Sequence, residues 1–383
     1  MSLSAAAAVD SKTETTTESG PISVHLQNTE KGAAEDVFGD EDDHDIRYKT
    51  LSWPFVAAFM IAEIVSNGML TLPNAMAVVG IVPSLALTIF LGVFALYTAK
   101  LLIDFKLNHP EVHNMGDAGF IIFGPIGREI LSAGTVIFAI FAVGSEILSG
   151  QLALSTLSNN GLCAMVLLAI FSVATFLLSV PRTLGGLNWL GLLSALFITL
   201  CGILAMVGAG ANPVPGRVIV ATIPTTFYQA FLAITGPVFA YAGHFMFFIL
   251  ISEMRKPEDA MKLVFFRFFR HSRHVYSHTI LGWAIWVLLC FAAVAIAFIF
   301  ATAVPIFSDM TGITASLFAS WYTYGIAGFF WLYDTFYLKG GLDALRRRWI
   351  GTSLAAATVL AGAFMCVAGT YVSIKVRVPR LLN

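Results

Sequence analysis

Glu63-Ile64-Val65-Ser66-Asn67-Gly68-Met69-Leu70-Thr71-Leu72-Pro73-Asn74-Ala75 is the stretch that decides how this 383-residue chain is read. It lies inside an apolar segment, Trp53 to Val79, long enough to cross a bilayer, for which about 20 apolar residues suffice. Its middle nevertheless carries Glu63, Ser66, Asn67, Gly68, Thr71 and Pro73. In hydrocarbon every backbone N–H and C=O must find a partner within the protein. Glycine and proline in mid-span are therefore tolerated where the freed groups face other helices or a polar cavity. A helix broken near the midplane is how transporters present backbone dipoles to a small polar substrate. The same residues also fit a packing glycine beside a proline kink. The polar pair next to the break favours a site.

Composition gives the class. Hydrophobic residues make up 57% and charged residues 12%, with a mean hydropathy of +0.81, where a soluble domain carries about 25% charged residues. The chain reads as a polytopic, all-α membrane protein. Eleven of the 23 acids precede residue 46, in a stretch without hydrophobic periodicity, so residues 1–46 read as a disordered acidic tail. The charge balance points to no nucleic-acid role. Cys163, Cys201, Cys290 and Cys366 fall singly in apolar segments, which suggests buried small hydrophobes and no disulfide framework. No basic region followed by an apolar run opens the chain, so the first span is expected to direct insertion.

Nine spans are expected, near 53–79, 81–103, 130–157, 162–180, 187–211, 227–254, 278–304, 306–333 and 350–374, in a transmembrane domain of residues 47–374. A short tail, 375–383, follows. Lys100, Lys106, Arg128, Arg182, the cluster Arg255 to Arg273, Lys339 and Arg346–Arg348 all fall on one side if the N-terminus is cytoplasmic. The positive-inside rule then places the N-terminus inside and the C-terminus outside.

Ionisable groups inside spans are functional candidates, because burying them is costly. Glu63 precedes Asn67 by one helical turn and shares its face. Glu146 lies in the third span and His244 in the sixth. Each could exchange a coupling proton, and each could equally be a structural polar group satisfied across helices. Asp309 reads as a helix-end residue. A second interruption is expected in span six, at Thr235-Gly236-Pro237 and then Phe239-Ala240-Tyr241-Ala242-Gly243-His244. Phe239 and Tyr241 there could cover a bound side chain. The segment Phe265 to His278 mixes rings with Arg and three His and reads as an interfacial turn facing anionic lipid. No metal site, cofactor motif or enzyme constellation is recognisable.

Asn67-Gly68-Met69-Leu70-Thr71-Leu72-Pro73-Asn74-Ala75 resembles the first-helix signature of the amino acid/auxin permease family, and Phe239 to His244 resembles its sixth. Glu253-Met254-Arg255-Lys256-Pro257, Pro305 to Asp309 and Phe318 to Gly325 are similar to further stretches of its fungal neutral amino acid permeases. The resemblance implies a LeuT-type inverted-repeat fold with helices one and six broken, and proton-coupled movement of neutral amino acids. By the same resemblance, Ser66, Asn67, Gly68, Met69 and Leu70 on the first helix and Phe239, Ala240 and Tyr241 on the sixth would hold the substrate. Backbone N–H groups around Asn67, Gly68 and Met69 would take its carboxylate. Carbonyls near Glu63–Ser66 and Phe239–Tyr241 would take its ammonium. Family members have eleven spans. Between Lys262 and Leu263 this chain passes over two of them, so the second repeat is incomplete.

The expectation is a secondary active transporter in the lipid bilayer whose partners are an amino acid and protons. It would sit in the plasma membrane, with the vacuolar membrane as the alternative. A non-transporting truncated isoform or a membrane sensor of amino acids stands as the rival, and a channel as a third.

Overall fold

The computed structural model describes residues 60, 62, 68–69, 71–109, 111–181, 188–211, 220–252, 280–304 and 306–381. The acidic tail, most of the first span with Glu63, Ser66, Asn67 and Leu70, and the interval around Lys262 and Leu263 lie outside the described residues. Among the described residues the ordered elements are helical, with no strand.

Helix α1 comprises residues 68–69 and 71–79. It is followed by α2 (Ile81–Asn108), α3 (Met115–Leu157), α4 (Ala164–Ser179), α5 (Asn188–Ala211) and α6 (Phe227–Ala240). A 3-10 turn (His244–Met246) leads into α7 (Phe247–Ser252), and α8 (Ile280–Ala303) comes next. Then α9 (Phe307–Thr314), a π-helical stretch (Ala315–Gly325) and α10 (Ile326–Lys339) run on without a gap. The short α11 (Gly341–Arg347) and the long α12 (Trp349–Leu381) complete the chain. Among the described residues, six helical segments are long and apolar enough to cross a membrane, and Ala164–Ser179 is a shorter apolar helix. The segment Phe227–Leu250 is 61% buried, against at most 22% for the other five. Of these six, the segment that begins with α6 is therefore the one most enclosed by protein.

Local chemistry sets the helix ends. Gly80, at φ 91, turns α1 into α2, a left-handed conformation that side chains disfavour. Residues 220–223 close over this joint: Ala221 accepts from Val82 N–H at 3.0 Å, and Ile223 N–H donates to Val79 at 3.2 Å. They supply partners that the start of α2 and the end of α1 lack internally. Asn114 caps α3 by accepting from Asp117 N–H at 2.8 Å, the usual role of a short polar side chain there. Gly124, at φ 69, then breaks α3, and Pro125 restarts it, a residue whose missing N–H costs nothing in a first turn. The third span thus begins about a turn before Ile130, where its continuous apolar run starts. Helix α2 runs past Ile103 to Asn108, and α12 past Ile374 to Leu381, because polar residues extend a helix beyond the hydrocarbon.

Phenylalanine, used 32 times, builds much of the interior. Phe105 stacks on Phe330 at 4.5 Å, joining α2 to α10. Phe138 of α3 stacks on Phe318 of the π stretch at 5.6 Å. Such ring pairs add to what burial alone contributes. The cysteines depart from expectation: Cys290 is buried, Cys366 is partly so, and Cys163 and Cys201 are exposed. An apolar residue in a membrane helix can be dry by facing lipid, so hydrophobicity alone does not place it against protein.

Helix α12 lies against the π stretch and α10 along a seam of small residues. A methyl on Gly362 would stand 2.5 Å from the Gly325 Cα and 2.8 Å from the Ser320 carbonyl oxygen. Both are backbone atoms with no rotamer to yield. Close approach through glycine is what membrane helices use where no hydrophobic drive separates protein from lipid. Gly362→Ala is expected to lower the thermal unfolding midpoint in detergent, read by tryptophan fluorescence, since overpacking costs about 1–3 kcal/mol. An unchanged midpoint would mean the seam is looser than described.

Candidate functional site

The site is built where α1 meets α6. A methyl on Gly68 would stand 2.3 Å from the Ala240 Cα, so the two backbones touch with no side chain between them. Further along, a methyl on Gly236 would be 3.1 Å from the Thr71 Cβ. Beyond that, Ala75, Val78 and Val79 pack with Ala233 and Ala230. As α1 advances, α6 retreats, in steps of three and four residues. The helices are therefore antiparallel and packed along one face of each. Thr71 Oγ1 donates to the Gly68 carbonyl at 2.7 Å, holding α1 together at its closest approach.

Helix α6 stops at this contact. It ends at Ala240, Tyr241 forms a turn, and a 3-10 turn opens at His244. The expected interruption at Thr235-Gly236-Pro237 is corrected here, since helix continues through it to Ala240. Pro237 withholds one N–H from Ala233 and no more, which a packed helix absorbs. Side chains of the interruption fasten to α2. Tyr241 donates its hydroxyl to the Thr88 carbonyl at 3.2 Å, beside Gly92, where a methyl would be 2.9 Å from the Tyr241 hydroxyl oxygen. His244 is buried, and its Nε2 lies 2.8 Å from the Ala95 carbonyl oxygen and 3.4 Å from Thr98 Oγ1. A carbonyl only accepts, so Nε2 carries the proton and Nδ1 keeps its lone pair.

The expected site residues separate into those brought together and those elsewhere. Gly68, Ala240, Tyr241 and His244 share the α1–α6–α2 contact, with Phe239 partly buried beside it. Met69 turns towards α5, its sulfur 3.0 Å from where a methyl on Gly202 would stand. Glu63, Ser66, Asn67 and Leu70 lie outside the described residues. Glu146 is exposed on α3, and its neighbours Ile147 and Leu148 pack with Val294, Ala297 and Met310 of α8 and α9, away from the interruption. Asp309 is buried in the first turn of α9, the helix end the sequence suggested.

A family model described as transmembrane amino acid transporter protein matches residues 49–269, which contain both α1 and α6. The chain belongs to this family. Among curated relatives it is similar to the N amino acid transport system protein of Neurospora crassa, 25% identical over 73% of this chain and 75% of that one. It is also similar to transmembrane transporters of Gibberella moniliformis, 24% identical over 93% of this chain and 90% of the relative, and of Fusarium pseudograminearum, 21% identical over 89% and 86%. No solved structure matches the chain. The alignments with the last two relatives extend over 430 and 415 positions, more than the 383 residues present here. The chain of this family member is therefore gapped against both.

This transporter-family chain also holds an ionic cluster that sequence reading did not anticipate, at the face bearing Lys106, Arg128 and Arg346–Arg348. His109, the residue after α2, places Nε2 2.8 Å from Asp334 Oδ1 of α10 and Nδ1 3.3 Å from Glu111 Oε1. Asn108 Nδ2 donates to the second Asp334 oxygen at 2.7 Å, and the Lys106 ammonium donates to the Val112 carbonyl. Burial alone would lower the His109 pKa, but hydrogen bonds and charge from Asp334 and Glu111 outweigh it and push it up to about 9. The Glu111 carboxyl is held below its usual range, first by its hydrogen bond to His109. Asp334 falls just past the apolar run ending at Tyr333, so nothing in the sequence paired it with a histidine 225 positions away.

Two tests follow from this geometry. Gly68→Ala forces α1 off Ala240 and is expected to abolish uptake by the chain, while Gly208→Ala, with open space around it, leaves uptake intact. Equal uptake by the two variants would remove the contact from the mechanism. The His109 tie has a defined pH window. Its folded-state pKa is raised, so its contribution is complete below the ordinary 6.5 and is lost as pH rises through about 9. Glu111, whose pKa is lowered, loses its contribution as pH falls through the acid range. Asp334→Asn should lower stability at pH 7 and flatten the decline between pH 7 and 9, read from thermal midpoints across pH.

Proposed function

We propose that the chain is a secondary active transporter that carries neutral amino acids across a membrane by alternating access, coupled to protons, on a LeuT-type arrangement. The observation that carries the reading is the backbone contact of Gly68 with Ala240, at the residue where α6 stops. A helix that ends inside the bundle leaves carbonyls without intrahelical partners. Such groups suit a substrate ammonium, as the amide groups around Asn67, Gly68 and Met69 suit a carboxylate. The family description and the name of the Neurospora crassa relative support an amino acid as cargo, and the apolar lengths support an integral membrane protein. On the positive-inside rule the N-terminus and the His109 cluster face the cytoplasm.

His244 is the coupling group that geometry favours. One nitrogen already donates to Ala95, and the Tyr241 backbone lies beside the ring. Nδ1 is buried with no hydrogen-bond partner among the described residues, so a proton arriving there would be held beside the interruption. Charge on the ring would then bear directly on the shape of α6. Glu63 and Glu146 remain candidates on sequence grounds.

The test is uptake of labelled neutral amino acids into proteoliposomes holding the purified chain, with and without an acid-outside pH gradient. Saturable uptake that the gradient accelerates is expected, and His244→Gln should keep uptake but lose most of the acceleration. Uptake no greater than in protein-free vesicles overturns the transporter reading. It would favour the second reading, a non-transporting short form or sensor, which the gapped alignments support. A His244→Gln profile that tracks the wild type moves coupling elsewhere, with Glu63→Gln the next variant to measure.

A further inference from the structure

The π-helical stretch Ala315–Gly325 lies against α6, α2 and α12, in the interior that holds the interruption. Wide-turn helices recur at functional sites because they rotate side chains out of the regular stripe. Most hydroxyls in and before this stretch are accounted for. Thr314 donates to the Met310 carbonyl at 2.8 Å, Ser316 to Gly312 at 2.7 Å and Ser320 to Ser316 at 2.6 Å. Tyr322 reaches across to the Leu131 carbonyl of α3 at 2.7 Å. At the far end the pattern changes. The Thr323 and Tyr324 hydroxyls are buried with no hydrogen-bond partner among the described residues.

Tyr324 is the stronger observation. It is 0% exposed, its ring stacks on Phe94 of α2 at 5.1 Å, and it packs in the same interior cluster as Tyr241. Tyr241, a neutral phenol, is an electrostatic neighbour. A buried hydroxyl without a partner is unfavourable, and in a membrane interior water does not relieve it. Phenylalanine fills the same volume without that cost and is this chain's habitual choice.

We propose that the Tyr324 hydroxyl oxygen accepts a hydrogen bond from the ammonium of the transported amino acid, positioning it against the interruption in α6 between the rings of Phe94 and Tyr241. Rings flanking a cation add attraction of their own. The inference rests on the transporter reading and extends it to a third wall of the site, one the sequence did not assign.

Tyr324→Phe keeps the ring and its stacking and removes an unsatisfied group, so folding is not at risk. The experiment compares it with the wild type in proteoliposomes, using a neutral amino acid and, as competitor, the carboxylic acid of the same side chain with hydrogen in place of the ammonium. The variant should raise the half-saturation concentration about tenfold at an unchanged maximal rate, the loss expected for one hydrogen bond to a charged group. Its preference for the amino acid over the des-amino competitor should narrow by the same factor. Tyr322→Phe, which frees the Leu131 carbonyl, should lower the thermal midpoint and leave that preference alone. If Tyr324→Phe gains thermal stability while half-saturation and preference match the wild type, the hydroxyl is a packing feature and the proposal is overturned. If the wild type takes up nothing, the transporter reading falls and takes the proposal with it.

Discussion

A helix in hydrocarbon can stop only where something else meets the backbone groups it abandons. In this chain α6 ends at Ala240 against Gly68, and the turn beyond it bonds back on itself, Ala242 N–H to the Phe239 carbonyl and Gly243 N–H to the Tyr241 carbonyl. The absence of a side chain at Gly68 lets the two main chains approach, and the burial of α6 keeps lipid away from its open end. Tyr241 and His244 then hand the interruption over to α2. Packing of the first, second and sixth helices is thus one arrangement. The glycine is its narrowest point.

The pairing of the first and sixth helices was legible in the sequence because glycine, proline and polar residues interrupt otherwise uniform apolar runs, and such interruptions are rare enough to be informative. The position of the second interruption was less legible. Gly236-Pro237 is the more conspicuous breaker, yet proline removes a single donor, and packing against Thr71 and Ala233 carries the helix past it. The His109–Asp334 pair was hidden for another reason. Each residue stands at the edge of an apolar run, and only the tertiary fold brings the edges together. The π stretch has no compositional mark at all: Ala315 to Gly325 reads as ordinary membrane helix.

Helix α2 connects these features. Near its middle it receives Tyr241 and His244 from α6, and Phe94 meets the π stretch. At its end His109 bonds to α10. A single uninterrupted helix therefore touches the interruption, the wide-turn stretch and the ionic cluster at the basic face. Displacement at any of these points is felt along its length, since packed helices repack between discrete arrangements more readily than they deform. The gapped alignments with fungal relatives add a further constraint. Whatever those relatives place opposite the gap, this chain keeps the α1–α6–α2 contact without it.

The seam between Gly362 and Gly325 has a mechanical consequence. Contacts through long side chains behave like springs, because rotamers absorb small displacements before the backbone moves. Here main chain bears on main chain where Gly325 and the Ser320 carbonyl meet Gly362, and the short Ser316 side chain fills the space over Gly369. That leaves almost no slack, so α12 acts as a rigid lever on the stretch that carries Tyr324. Its far end, past Lys375, projects beyond the apolar run to Leu381. A reporter domain or immobilising tag fused there would pull on the interior directly, which makes the C-terminus a poor handle for watching this protein undisturbed.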